Sequence, residues 1–261
     1  MKALAARRHD RRAPVVLLLL ALLLTGALYA VLAPTTADAA APTATADQVE
    51  LGEKLFQANC ATCHGPDATG TDEYPSLVGV GAAAVDFQVG TGRMPAQMNG
   101  PQIQAKPVQF DQDQIAALAA YVASLGPGPS VPTADQVDPA QGDPANGLDL
   151  FRTNCAMCHN AVGAGGALSQ GKYAPNLWGT TPTHVYEAMV TGPQSMPVFN
   201  DATLTPDEKR DIIAFLELQG EGSPGGIDLG SLGPVSEGLW AWIVGMGLLI
   251  GAAVWIGARS S

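Results

Sequence analysis

The pattern Cys-x-x-Cys-His occurs twice, as Cys60-Ala-Thr-Cys63-His64 and as Cys155-Ala-Met-Cys158-His159, and the two copies use all four cysteines of this 261-residue chain. Each stands at the same distance behind a Gly-x-x-x-Phe, Gly52 to Phe56 in the first copy and Gly147 to Phe151 in the second. On a helical turn, residues three and four apart share a face, so two thiols and an imidazole so spaced meet one ligand. This is the attachment sequence of a c-type haem, with the thiols reaching the two vinyl groups and the histidine reaching the iron. A redox disulfide within CxxC belongs in a strand-rich, thioredoxin-like setting, and this chain has few β-branched or aromatic runs. Zinc would require more ligands at matched spacing. The expectation is two covalently bound haem c groups, held by Cys60, Cys63, Cys155 and Cys158, with His64 and His159 as axial ligands.

An electron-transfer haem takes a second axial ligand, and methionine opposite histidine is the cytochrome c arrangement. Met94-Pro95 and Met196-Pro197 follow the two motifs in matching Gly-rich loops. Proline keeps such a loop from continuing as a helix. Met94 and Met196 are therefore the expected ligands, with Met98 and Met189 as competitors in the same stretches. His184 is the spare histidine between the apolar ends, read as a surface or core residue rather than a ligand. Pro75 and Pro175, in matching Pro-x-Leu steps, offer backbone carbonyls that would orient the axial histidines, or are ordinary turn prolines. Trp178 offers an indole N–H to a haem propionate or packs against the ring.

Each copy closes with an amphipathic helix. Asp111 with Gln114, and Thr205 with Pro206 and Glu208, supply helix-start signals for 111–125 and 205–219. Ile115, Leu118, Tyr121 and Val122, and Ile212, Phe215 and Leu216, form one apolar stripe in each. Residues 34–47, 127–143 and 221–237 are rich in Ala, Thr, Pro or Gly and read as tethers, because they bury too little apolar surface to offset chain entropy. The domains so delimited are 48–126 and 144–220.

The formal net charge of −11 argues against nucleic-acid binding, which needs clustered Lys and Arg. Five of the thirteen basic residues lie within the first twelve positions, ahead of an uncharged stretch over 13–37. A second uncharged apolar stretch covers 238–258, with Trp240 and Trp242 at one end and Trp255 at the other, where indoles favour the membrane interfaces. About 20 apolar residues span a bilayer as a helix, so 238–258 is read as a transmembrane helix in contact with lipid. Residues 1–33 read as a membrane anchor or a secretory signal, since Ala37-Asp38-Ala39 resembles a cleavage site while the apolar part is longer than a usual signal core. With the segment retained, the protein spans the membrane twice; in either case the acidic middle lies on the extracytoplasmic side.

Gly-x-x-x-Phe, CxxCH, Pro-x-Leu, Met-Pro and a closing aromatic helix together resemble class I cytochrome c domains. The expected fold is mainly α, with two tandem class I cytochrome c domains between an N-terminal apolar segment and a C-terminal transmembrane helix. That arrangement, and the stretch from Glu187 to Phe199 above all, is similar to the dihaem cytochrome c subunit of the actinobacterial-type cytochrome bc1 (bcc) menaquinol:cytochrome c reductase. The resemblance implies a cytochrome b subunit, a Rieske iron–sulfur subunit and a haem–copper oxidase as partners. It also implies a role as an electron carrier within a quinol–cytochrome c reductase. A dihaem subunit of another membrane oxidase or dehydrogenase is the alternative. A dihaem peroxidase would need one iron with an open position, against which the two Met-Pro loops count.

Overall fold

The structure, a computed structural model, describes residues 13–32, 44–98, 100–220 and 234–259. Most of the expected connectors 34–47 and 221–237 lie outside the described residues. The chain divides into two units, 1–40 and 41–261. The first contains one described helix, α1 (Ala13–Leu32), in which Val15 to Leu20 and Leu22 to Leu24 are exposed apolar side chains.

In the second unit, α2 (Ala46–Asn59) begins at a capping box in which Thr45 and Gln48 satisfy each other's backbone N–H groups. The chain turns at Cys60 into the single-turn helix α3 (Ala61–His64), then forms α4 (Gly81–Gly90) and α5 (Gln112–Ser124). Asp111 and Gln114 make the expected reciprocal cap on α5. Helices α2 and α5 cross closely because Gly52 has no side chain: a Cβ there would sit 2.0 Å from the Ala117 carbonyl oxygen. One turn on, Phe56 fills the crossing against Tyr121, with ring centroids 5.3 Å apart. The Gly-x-x-x-Phe motif is thus the notch and plug of a helix crossing.

The same construction recurs in α7 (Pro144–Asn154), α8 (Ala156–His159), α9 (Pro182–Thr191) and α10 (Pro206–Gly220). A Cβ on Gly147 would lie 1.9 Å from the Asp211 carbonyl oxygen, and Phe151 meets Phe215 at 5.3 Å. Each half has its own core, one around Phe56, Ile115, Leu118 and Val122 and the other around Phe151, Tyr186, Ile212 and Phe215. The predicted stripes are the faces these cores bury.

The two halves differ by insertions. Between Gly165 and Pro175 the second half adds a short antiparallel hairpin, β1 (Gly166–Ala167) with β2 (Tyr173–Ala174), paired Gly166 to Ala174 and Ala167 to Tyr173. The first half has the longer path from its Met-Pro step to its last helix.

The tether expected at 127–143 is instead ordered. It forms α6 (Ala134–Val137), capped by Thr133 and Gln136, and a 3-10 turn over Pro139–Gln141. Composition misled because this segment acquires partners from both sides. The Pro129 carbonyl accepts from Ala83 N–H in the first half, while the Asp135 carbonyl accepts from Arg210 and Gln136 donates to the Tyr186 hydroxyl in the second.

Helix α11 (Pro234–Arg259) begins four residues before the expected span. Within it, Gly238–Arg259 is long and apolar enough to cross a membrane and has no buried side chain. No other described helix meets that length and composition; the shorter apolar segment is Pro14–Ala27 in α1.

Candidate cofactor sites

The first motif lies on one continuous turn. Cys63 and His64 N–H groups both donate to the Cys60 carbonyl, at 3.1 and 3.0 Å, and Cys158 and His159 repeat this on Cys155 at 3.1 and 2.9 Å. All four cysteines are half-buried free thiols. Burial pushes the Cys60 thiol up to about 11 and the Cys155 thiol up to about 12, with Cys63 and Cys158 adding to the rise, so both are neutral thiols near neutral pH.

His64 and His159 are both buried. Nδ1 of His64 stands 2.8 Å from the Pro75 carbonyl and Nδ1 of His159 stands 3.1 Å from that of Pro175. A carbonyl only accepts, so Nδ1 carries the proton and donates it, and the Nε2 lone pair is left free in a fixed orientation. Burial also holds the His159 imidazole below its usual range, against the opposing pull of the Pro175 bond.

Glycine makes this contact possible. Gly70 (φ +81°) and Gly165 (φ +83°) let the loop fold against the proline step, where a Cβ would lie 2.6 Å from the Ser76 nitrogen or the Ala174 oxygen. Left-handed backbone at so crowded a point admits only glycine without strain. The Leu77 and Leu177 amides then close the loop on the Ala68 and Gly163 carbonyls, both at 2.8 Å. Pro-x-Leu therefore supplies one acceptor, one donor and one side chain packed on the core.

The four methionines weighed from the sequence separate by environment. Met98 is 79% exposed and Met189 is enclosed in the second core. Met94 and Met196 sit half-buried at the edges of the two cores, where Cys60 and Cys155 also pack. Trp178 donates its indole N–H to the Val162 carbonyl at 2.8 Å, so that donor bonds within the protein rather than to a propionate.

Two lysines that sequence reasoning passed over secure the methionine loops. Lys106 donates to the Pro95 carbonyl, next to Met94. Lys209, fully buried, donates to Asp201 Oδ1 at 2.6 Å and to the Leu204 carbonyl at 2.7 Å, beyond Met196. Only seven basic residues lie between the two apolar ends, and that scarcity was the available signal. The donor set fits a covalently attached haem in each half: two thiols on one turn, an imidazole with a free Nε2, and a half-buried thioether.

A family model described as cytochrome c matches residues 49–126, and one described as cytochrome c oxidase, cbb3-type, subunit III matches residues 142–216. Over 280 aligned residues the chain is 45% identical to a cytochrome bc1 complex cytochrome c subunit from Corynebacterium diphtheriae, covering 99% of each chain. It is 47% identical over 261 residues to the protein of that description from Mycobacterium tuberculosis, covering 97% of this chain and 93% of that one. For the Mycobacterium leprae protein of that description the identity is 45% over 251 residues, covering 94% and 87%.

Proposed function

Because the chain belongs to the family of cytochrome c subunits of the cytochrome bc1 complex, we propose that it is the dihaem electron relay of a membrane quinol–cytochrome c reductase. Cys60 and Cys63 hold one haem c and Cys155 and Cys158 the other. His64 with Met94, and His159 with Met196, would hold the two irons. When bound, each haem supplies a one-electron redox centre, and the soft thioether favours the ferrous state. The chain itself binds and orients. The turn after Cys60 or Cys155 aims two thiols and an imidazole one way, the proline carbonyl fixes the imidazole tautomer, and Lys106 and Lys209 hold the loops that carry the thioethers.

The observation that carries this reading is the doubled His Nδ1 to Pro carbonyl bond behind a CxxCH turn, because it leaves both Nε2 atoms as ligands. Were His64 with Met94 and His159 with Met196 to hold the two irons, neither would keep an open position, which favours relay over peroxidase chemistry. The cytochrome b and Rieske subunits are the proposed neighbours, with electrons passing from the Rieske centre through this chain to a haem–copper oxidase in a supercomplex. Gly238–Arg259 anchors the chain in the lipid, residues 1–33 form a second span if retained, and domains 48–126 and 144–220 face the extracytoplasmic side. The cbb3-type description of the second half's family model is what supports the other reading, a dihaem subunit belonging directly to an oxidase.

Gentle detergent extraction tests the reading. The expected result is two haems c per chain, co-purification with cytochrome b and Rieske subunits, and reduction of both haems by a quinol through that assembly. Rapid peroxide turnover, or co-purification with oxidase subunits and no Rieske protein, would overturn it.

A further inference from the structure

Asp86 on α4 and His184 and Glu187 on α9 face one another where the two halves meet, with one donor atom from each lying within 4.8 Å of the others. His184 and Glu187 are three residues apart and share a face of α9, while Asp86 arrives from the other domain. His184 Nε2 stands 3.9 Å from Asp86 Oδ2, beyond hydrogen-bond range. Glu187 is fully buried, and neither of its carboxyl oxygens receives a hydrogen bond from a protein donor. A native interior rarely leaves such a group unsatisfied, so a buried carboxyl with one oxygen within 4.8 Å of an Asp86 oxygen and a His184 nitrogen calls for an occupant.

An aromatic ring and a glycine pack against the cluster. The Phe87 ring meets His184 edge-on at 6.0 Å, and a Cβ at Gly90 would come within 2.9 Å of His184 Nε2. The Asp86 and His184 side chains are 19% and 20% exposed, which gives an entry path. Burial holds the His184 imidazole below its usual range against the pull of Asp86, and Arg93 adds to the depression. Arg93 itself lies over the Phe87 ring at 4.9 Å.

We propose that Asp86, His184 and Glu187 form a binding site for one divalent cation of the zinc class, bridging the two haem domains. One imidazole nitrogen with two carboxylates suits zinc, which takes three protein ligands and a water, better than magnesium or calcium, which prefer oxygen alone. Zinc bonds to nitrogen and oxygen run to about 2.0–2.2 Å, so the three atoms close on the ion by small side-chain rotations. In its absence burial, and next the charge of Asp86, pushes the Glu187 carboxyl up to about 9, and a proton takes the place of the cation between the two carboxyls. The site stands on this geometry and does not depend on the relay reading.

The test uses the full haem-loaded chain in detergent, stripped with a chelator, dialysed and equilibrated with zinc chloride. Zinc is measured against haem iron by mass spectrometry, and the thermal midpoint is followed by circular dichroism. The expected result is one zinc per chain with a raised midpoint. Asp86→Asn, His184→Gln and Glu187→Gln should each weaken uptake at least about tenfold and abolish the midpoint shift. Glu187→Gln keeps shape and removes charge; should it fail to fold by circular dichroism, Asp86→Asn decides alone. Equal uptake by wild type and folded variants would assign the zinc to exposed carboxylates and overturn the site, as would a wild-type chain that takes up none.

Discussion

The ammonium of Lys209 is fully buried and donates to Asp201 Oδ1 at 2.6 Å, while the Asp201 side chain is 60% exposed. The two partners of this pair are therefore unequal. Asp201→Ala leaves a buried charge with only the Leu204 carbonyl and the Tyr186 ring, 5.6 Å away, as company. That loss approaches the ~3–5 kcal/mol cost of orphaning a buried ion. Lys209→Met leaves a hydrated Asp201 and one carbonyl without its donor, about 1–3 kcal/mol. Thermal unfolding of the haem-loaded chain should rank Asp201→Ala below Lys209→Met, and equal midpoints would refute this account of the pair.

Replacing Gly52 or Gly147 by alanine sets two effects against each other. Helix propensity gains roughly 1 kcal/mol. The new Cβ would lie 2.0 Å from the Ala117 oxygen or 1.9 Å from that of Asp211, and forcing the helices apart costs at least about 1–3 kcal/mol. The clash wins, since no rotamer relieves a Cβ. Each variant should lower the unfolding midpoint of its own half, read by circular dichroism together with haem absorbance.

The proposed ligation by Met94 and Met196 makes a spectral prediction. Met94→Leu and Met196→Leu should each remove part of the thioether-to-iron charge-transfer absorption of the ferric protein. Met98→Leu, at a 79% exposed side chain, should change neither spectrum nor stability beyond about 0.5 kcal/mol. Met189→Leu should cost less than about 1.5 kcal/mol and leave the band intact.

The two halves are clamped by paired amides. Gln102 bonds both the N–H and the carbonyl of Tyr173, at 2.8 and 2.9 Å, and Gln194 bonds both groups of Ile103 at 3.0 Å. Each bond is worth about 0.5–1.5 kcal/mol net. Hydrogen exchange should accelerate by up to roughly tenfold at the Tyr173 amide in Gln102→Ala and at the Ile103 amide in Gln194→Ala. Acceleration at neither site would mean that these bonds do not hold the halves together.

A pH dependence follows from Glu187, whose carboxyl is raised to about 9, first by burial and then by Asp86. In the unfolded chain it titrates as an ordinary glutamate, near 4.5. Between those values the folded protein holds more protons than the unfolded one, so stability falls as pH rises through that window. Asp86 and His184 face the same carboxyl, and Arg93 acts on His184. With chelator present, denaturation midpoints should decline from acid to alkaline pH across this range, and Glu187→Gln should flatten the decline.

The residues with fixed local spacing could be read directly. Cys60, Cys63 and His64 sit on a single helical turn, so their geometry follows from sequence separation, and the same holds for Cys155, Cys158 and His159. The caps at Asp111 and Thr205 and the buried stripes of α5 and α10 were legible for the same reason, since each depends on neighbours within four residues. The order at 127–143 was not legible, because its Pro129 and Asp135 carbonyls find donors, Ala83 and Arg210, far away in sequence. Nor was the clamp at Gln102 and Gln194, or the meeting of Asp86 with Glu187. Cysteine spacing along one turn determined the proposed haem attachment, whereas the packing of α4 against α9 decided which acidic side chains lost their water, since desolvation depends on what another part of the chain brings to the same place.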